Sequence, residues 1–450
     1  MPASPTSLIA DYAASTTITG LPADVIERTK QVIFDEMACS AFGQRSAAGT
    51  LATKYARSMG GAAEAQILGT SSRVTAPYAA LANGTAGHGE EVDGAHVVGG
   101  HPGASIVHAA VAMAERQCAT GADLINAVAL GYDIGTRIVA ACGGKFVVRD
   151  THRLNSDLFY ALGATAAAGR LLGLNAERHV HAQALATFQT NGLYALYSEK
   201  RHISKSFCNG QYAFAGVSAA LMSAAGLEGN EDIIGHDYGL LATWGEAGSE
   251  SLVTADLGTR FAIEQANFKF LNAGYPIHAP VEAAMTAVAE NGIDLSQIAQ
   301  ITVGMPSRAM RVVNGRDMHN ICVQDILSAS LVLGGLKLTQ SPFPAVLANP
   351  AFQALRGKIS MAVDPEIEQD NPNGRGARVT ITLKDGSSHS QRVDHPKGHS
   401  ARGGVTWSDL AGKWAGNLPD CDVEAALGVA RRLEEVEDVR TLASAFAGPF

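Results

Sequence analysis

Across the first 260 residues apolar positions recur three and four apart, the period of helices that bury one face. Val25, Thr29, Val32, Ile33, Glu36 and Cys39 form one such stripe. Pro22 opens it at a favoured first-turn position, and Gly43 closes it. Segments 104–119, 121–141, 158–173, 176–197 and 211–225 repeat the style and are rich in Ala and Gly, as in the run from Ala164 to Gly169. Small side chains let helix axes approach closely, which predicts a tightly packed helical body.

The period changes after about residue 265. Gln300 to Met305 gathers β-branched residues and is stopped by Pro306, the mark of a strand. Val379 to Leu383 and Ser388 to Val393 flank Lys384-Asp385-Gly386-Ser387, and Asp-Gly between two such runs signals a hairpin. Ile321 to Gly334 reads as a helix between these strands. From Thr406-Trp407-Ser408 the helical pattern returns. The expected fold class is therefore mainly α: residues 1–265 plus 400–450 form a helical domain, and 266–399 a smaller inserted α/β domain.

A chain of 450 residues exceeds the size at which one core stops growing, which agrees with two domains. Apolar residues make up 46% and charged residues 17%, an ordinary globular balance. The formal charge is -9 with no run of Lys and Arg, which argues against a nucleic-acid partner. A mildly acidic protein still binds anions if its few cations converge in one cleft. The first 13 residues lack a basic stretch followed by an apolar block, and no stretch approaches the roughly 18 uninterrupted apolar residues of a membrane span. Cys39, Cys118, Cys142, Cys208, Cys322 and Cys421 are widely spaced with no CxxC pair, as expected of reduced thiols. The expectation is a cytoplasmic protein with no membrane partner.

The densest polar stretch runs from Asn83 to Gly103. His88, His96 and His101 share it with Glu90, Glu91 and Asp93, and the interleaved glycines permit the backbone to wrap a ligand. A helix starts just after His101-Pro102, so free amide groups face the same place and favour an anion. The competing readings are a solvated Gly-rich turn and a metal site built from His88, His96, His101 and Glu91. No helical pair of histidines fixes a ligand geometry, so no metal is expected. His108, seven residues beyond His101, reads as a buried and satisfied core histidine.

A second cluster, Glu199-Lys200-Arg201-His202-Ile203-Ser204-Lys205, sets four basic residues ahead of the Ala-rich helix 211–225, suited to a substrate carboxylate. Alone, it is equally an exposed basic turn. A third, Phe268-Lys269 to His278-Ala279-Pro280, falls where the two patterns meet, and clefts form at such junctions. His319, His389, His395 and His399 read as solvated loop residues. There is no phosphate-binding loop, dinucleotide fingerprint, G-x-S-x-G or H-E-x-x-H.

Taken in order, these clusters resemble the MmgE/PrpD family, whose members include dehydratases, a decarboxylase and an epimerase of small polycarboxylates. The resemblance runs nearly end to end. It covers Leu21-Pro22, the loop from Asn83-Gly84 to His101-Pro102, Ser204-Lys205 ahead of Gly216 to Ala220, Lys269 with His278 nine later, and Ile321 to Gly335. It implies a large helical domain built from both chain ends, an α/β lid inserted between, a site between the two, no metal or organic cofactor, and a homodimer. His101 matches the loop histidine proposed as acid or base, Lys205 the lysine of the Thr/Ser-Lys motif, Lys269 and His278 the lid-side basic pair, and Asp93 one aspartate of the acidic run. The chain departs from the family at Glu91-Val92-Asp93-Gly94-Ala95, where a hydroxyl is missing, and at Leu154-Asn155-Ser156-Asp157, where a His-Pro motif is missing; His152 is the candidate to replace that histidine.

These readings predict a cofactor-independent lyase moving a proton beside a carboxylate of a small di- or tricarboxylate. His101 moves the proton, and Lys205 stabilises the charge that develops. Glu91 orients His101 or acts as partner acid or base, with His152 alongside. Asp93, Lys200, Arg201, Lys269 and His278 are the expected substrate contacts. A dehydratase is the first expectation. An epimerase, isomerase or decarboxylase is the alternative, and a silent carboxylate-binding protein a third.

Overall fold

Buried apolar residues fall into two clusters, and the chain enters the first from both ends. The computed structural model describes residues 3–336, 338 and 344–449, with 59% helix and 8% strand. The helices Ala23–Gly43, Ala76–Gly87, Pro102–Gln117, Gly121–Ala141, Tyr160–Leu172 and Ser204–Ala224 pack around the first core. Leu410, Trp414, Leu427 and Phe446 belong to the same cluster. Phe34 meets the Trp407 and Phe446 rings at 6.1 and 6.0 Å, and Trp414 donates its indole N–H to Asp35 at 2.7 Å.

The Ala/Gly richness has a measurable consequence where Gly121–Ala141 crosses Tyr160–Leu172. A Cβ on Gly163 would stand 2.3 Å from the Gly131 carbonyl oxygen, and one on Gly131 would stand 2.9 Å from that of Gly163. Backbone packs on backbone, so either Gly→Ala change forces the helices apart. Gly121–Ala141 is also long and apolar enough to cross a membrane, which the sequence reading did not allow for. However, 94% of its apolar window is buried inside the protein, as in a core helix.

The second core is a four-stranded sheet in the order Ile359–Val363, Ile298–Met305, Ala377–Leu383, Ser388–Val393. The first pair is parallel and the others antiparallel. Helices His278–Asn291 and Val323–Leu333 cover it. The Asp385-Gly386 turn closes the expected hairpin, with Thr382 opposite Ser388 and Gly386 at φ 89°.

The sequence reading missed Ile359–Val363, a half-exposed strand without clear alternation. Two helix boundaries also moved. Segment 176–197 is helical only as Ala176–Thr187, because Asn191-Gly192 turns the chain. The chain then forms the short 3-10 turn Tyr194–Ser198. The next helix starts at Ser204, not 211, so Lys205 lies in its first turn.

A short antiparallel pair ties the first and third polar clusters together: Ala95–His96 pairs with Ala266–Asn267, which ends two residues before Lys269. His96 donates Nε2–H to the Ala262 carbonyl at 2.8 Å and serves this joint.

Candidate active site

Glu91 sits at φ 54° and His202 at φ 34°, a left-handed backbone that non-glycine residues avoid. Strain of this kind persists only where surrounding contacts enforce it. Here the contacts are visible. The Glu91 carboxylate is 1% exposed and accepts hydrogen bonds from Lys205, from His202 Nε2 at 2.9 Å and from Lys269 at 2.8 Å. Burial alone would raise its pKa, but the Lys205 and Lys269 charges outweigh that and hold it well below the usual range. A carboxylate so held is a poor proton acceptor, and its work is to position the lysines.

Asp93 is the second buried anion. It accepts from His88 Nδ1 at 2.8 Å and lies 3.2 Å from His101 Nδ1 and 3.4 Å from the Lys269 ammonium. Burial opposes its ionisation, while His88, Lys269 and His101 favour it more strongly. Lys269 is wholly buried and also donates to the Glu91 carbonyl at 3.1 Å. Desolvation disfavours its charge, yet Glu91 and Asp93 hold its pKa above the ordinary value.

The acceptors fix the histidine tautomers. His88 donates Nδ1–H to Asp93, so its Nε2 lone pair accepts from Lys205 at 2.5 Å. His202 donates Nε2–H to Glu91, and its Nδ1 accepts the Ser206 hydroxyl at 2.7 Å. His101 Nδ1 faces two acceptors, Asp93 and the Gly94 carbonyl at 3.0 Å, and so must carry the proton. That leaves His101 Nε2 as the basic nitrogen available to the cavity. Burial pushes all three imidazoles down to about 4, so they are neutral at pH 7.

The Lys205 ammonium spends one hydrogen on His88 and one on Glu91, and the third remains for a ligand. Its helix start is held by Glu199, which accepts from the Ser204 and Lys205 amides at 2.9 and 2.7 Å. A cation in a first helical turn is unfavourable by itself, and the two glutamates offset that.

These groups border a small cavity, of about 30 Å³, between the two cores. Glu91, Gly100, His101, Lys205 and Tyr197 line it from one side, and Tyr275, Val312, Ile321 and Arg375 from the other. Lys145 and Phe146 complete the wall.

Of the residues singled out in sequence, His101, Lys205 and Glu91 meet here. Asp93 and Lys269 lie one layer behind, holding the lining groups, and not at the cavity surface as substrate contacts. It is Asp93 that orients His101, a task the sequence reading gave to Glu91. His278 is also behind the wall; it donates Nε2–H to the Ala273 carbonyl at 3.3 Å, packs beside Tyr275, and burial pushes it down to about 3. His152 is half-buried at the end of the turn Val148–His152 and does not line the cavity. Lys200 and Arg201 are exposed and line a different hollow with Arg45 and Met318. Sequence order placed them near Lys205, but the helix start at Ser204 turns them outward. His108 is buried as expected, but both ring nitrogens lack a hydrogen-bond partner among the described residues.

The sequence reading passed over Lys145, Tyr197, Tyr275 and Arg375. Tyr197 was hidden inside an over-extended helix, and Arg375 follows Asn371-Pro372-Asn373-Gly374, which reads as an ordinary turn. Gly143-Gly144 ahead of Lys145 was the available signal.

His88, Glu91 and His101 place ligand atoms within 4.8 Å of one another, close enough to hold a metal ion. The chemistry of the donors argues otherwise: the Lys205 ammonium already occupies the acceptors of His88 and Glu91. A metal ion would have to displace that ammonium.

A helical body and a small sheet-bearing unit hold an imidazole and an ammonium between them. The MmgE/PrpD N-terminal domain model matches residues 7–249 and the C-terminal domain model residues 272–438; the chain belongs to the MmgE/PrpD family. Among curated relatives, cis-aconitate decarboxylase of Aspergillus terreus is 26% identical over 420 residues, covering 87% of this chain and 85% of that protein. The Homo sapiens cis-aconitate decarboxylase is 24% identical over 447 residues, covering 94% and 91%. 2-Methylcitrate dehydratase of Cupriavidus necator is 27% identical over 267 residues, covering 54% and 53%. These relatives are lyases.

Proposed function

We propose that this chain is a lyase that acts by proton transfer beside a carboxylate of a small polycarboxylate. The observation that carries the reading is the pairing, in one cavity, of a neutral imidazole with its Nε2 free and a lysine ammonium with one hydrogen uncommitted. His101 removes the proton alpha to a carboxylate, and Lys205 stabilises the negative charge that collects there. Preorganised cations at that position commonly make the largest contribution to such catalysis.

Dehydration is the first reading. The electron pair from the broken C–H bond forms the new C=C bond, the C–O bond breaks, and the leaving hydroxyl takes a proton from Lys205 or a cavity phenol. Decarboxylation is the second reading, favoured by the relatives matched over most of their length. There the C–C bond to a carboxylate breaks, carbon dioxide leaves, and the electron pair passes to a carbon that takes its proton from the Lys205 ammonium, which is left as the neutral amine. The same residues serve both.

The test is incubation with cis-aconitate, 2-methylcitrate and related polycarboxylates in D2O, followed by NMR. Loss of water marks a dehydratase; carbon dioxide release with one deuterium in the product marks a decarboxylase. Deuterium exchange into recovered substrate with inverted configuration would point to an epimerase instead. His101→Ala and Lys205→Ala should each reduce kcat/KM by about 100-fold or more. Folded variants retaining wild-type turnover would remove both residues from the mechanism.

A further inference from the structure

The charges behind and around the reacting groups cancel. Glu91 and Asp93 are matched by Lys205 and Lys269, and the neighbouring imidazoles are neutral. Two cavity-lining cations remain outside this balance, Lys145 and Arg375. Neither forms an ion pair among the described residues. The buried lysines elsewhere behave differently: Lys413 and Lys30 pair with Asp35 and Glu434 at 2.8 and 3.1 Å. The acidic group bearing most on Lys145 is the buried Asp157, which acts on it without an ion-pair contact. Among the described residues the Arg375 guanidinium has one hydrogen bond, a long one of 3.4 Å to the Asn373 carbonyl, and it packs over Phe146 at 5.5 Å.

Two further donors in the same wall are unsatisfied. The hydroxyls of Tyr197 and Tyr275 are buried and have no hydrogen-bond partner among the described residues. Leaving a buried hydroxyl unpaired is costly unless a ligand supplies the acceptor. The Tyr197 ring also fixes the spacing, with the Lys205 ammonium 5.3 Å from its centre and that of Lys145 5.6 Å from it.

We propose that Lys145 and Arg375, with the Tyr197 and Tyr275 hydroxyls, form a carboxylate-binding subsite that selects substrates carrying at least two carboxylates. This rests on the polycarboxylate lyase reading and specifies it. The substrate's non-reacting carboxylates dock on the two unbalanced cations, and a second part of the molecule is thereby set against His101 Nε2 and Lys205. The chemistry of the subsite is cationic and rich in hydrogen-bond donors, so a monocarboxylate of similar bulk binds only weakly. Burial brings the Lys145 pKa down to about 8, against the pull of Asp157, so the subsite loses charge as pH rises through that value.

The test is calorimetric titration of wild type, K145M, R375Q and R375K with citrate as probe and acetate as control, at constant ionic strength. Thermal melts check that each variant is folded. Loss of a charged hydrogen bond predicts about a 10- to 100-fold weaker citrate affinity in K145M and R375Q. R375K should keep more of it than R375Q. Wild-type affinity should fall as pH rises from 7 to 9, and K145M should lack that fall. With a substrate that turns over, the loss should lie mainly in KM, as expected of a binding group. K145M binding citrate as tightly as wild type, with the same pH profile, would overturn the subsite while leaving the lyase reading standing. Wild type binding none of the polycarboxylates would overturn both. Should R375Q fail to fold, K145M and its pH profile decide the matter.

Discussion

Replacing Lys269 with methionine isolates what the buried network contributes. Lys269 is fully buried and bonds the Glu91 carboxylate, the Glu91 carbonyl and Asp93. Methionine fills similar space, so the main loss is one ammonium facing two carboxylates. Removing one partner of a buried ion pair costs about 3–5 kcal/mol. K269M should therefore lose roughly that much at pH 7. E91Q leaves the opposite imbalance, two ammonium groups against one carboxylate, and should also be costly. The double variant K269M/E91Q removes one charge of each sign. It should recover a coupling of at least about 2 kcal/mol relative to the sum of the single changes. The assay is urea unfolding of the four proteins, followed by fluorescence and circular dichroism, with midpoints compared at matched slopes. The slopes matter because two cores need not unfold together. Strict additivity would refute the reasoning, since it would mean that the Lys269–Glu91 contact carries no coupling energy.

Acid should destabilise the fold early. His88, His101 and His202 have folded pKa values near 4, below the 6.5 of a free histidine, so the unfolded chain binds more protons between those limits. Stability is fully present above about pH 6.5 and falls toward pH 4, each histidine contributing about 1.4 kcal/mol per pH unit; a flat unfolding midpoint from pH 7 to 5 would contradict this. Asp93→Asn leaves the Gly94 carbonyl on His101 Nδ1 but removes the negative charge that stabilises the imidazolium formed when His101 takes a proton, and kcat/KM should drop about 100-fold or more with KM little changed, measured by steady-state kinetics. Glu199→Ala uncaps the helix that begins at Ser204 and should cost about 1 kcal/mol in denaturant unfolding. That variant should also weaken citrate binding, because Lys205 is one of the two amides Glu199 holds. His152→Ala should leave turnover within a few-fold of wild type, since the side chain does not reach the cavity.

The parts of the fold that sequence reveals are those with a strong period. Helix Gly121–Ala141 is legible from its long apolar run, and the hairpin across Asp385-Gly386 from the two-residue alternation of its first strand. The half-exposed strand Ile359–Val363 carries no such signal and is recovered only through its pairing with Ile298–Met305. The candidate site divides in the same way. His101 and Lys205 stand in dense polar clusters and were legible. The cations that remain unpaired were not, because Lys145 and Arg375 become significant only when several distant segments meet at one cavity. Sequence proximity misled at Lys200 and Arg201, where one turn of chain reverses the direction a side chain takes. The roles of Glu91 and Asp93 were likewise invisible, since which carboxylate faces which imidazole is decided by the left-handed bend at Glu91.

The claim on which the account turns is that His101 is neutral in the resting enzyme, protonated on Nδ1 and bare on Nε2. Nitrogen-15 NMR of imidazole-labelled protein, with His101 assigned by comparison with H101N, reads this directly. At pH 7 the account predicts one protonated and one unprotonated ring nitrogen, with the proton on Nδ1, and a shift of the Nε2 signal when citrate is added. A doubly protonated ring, or a proton resting on Nε2 instead, would contradict it.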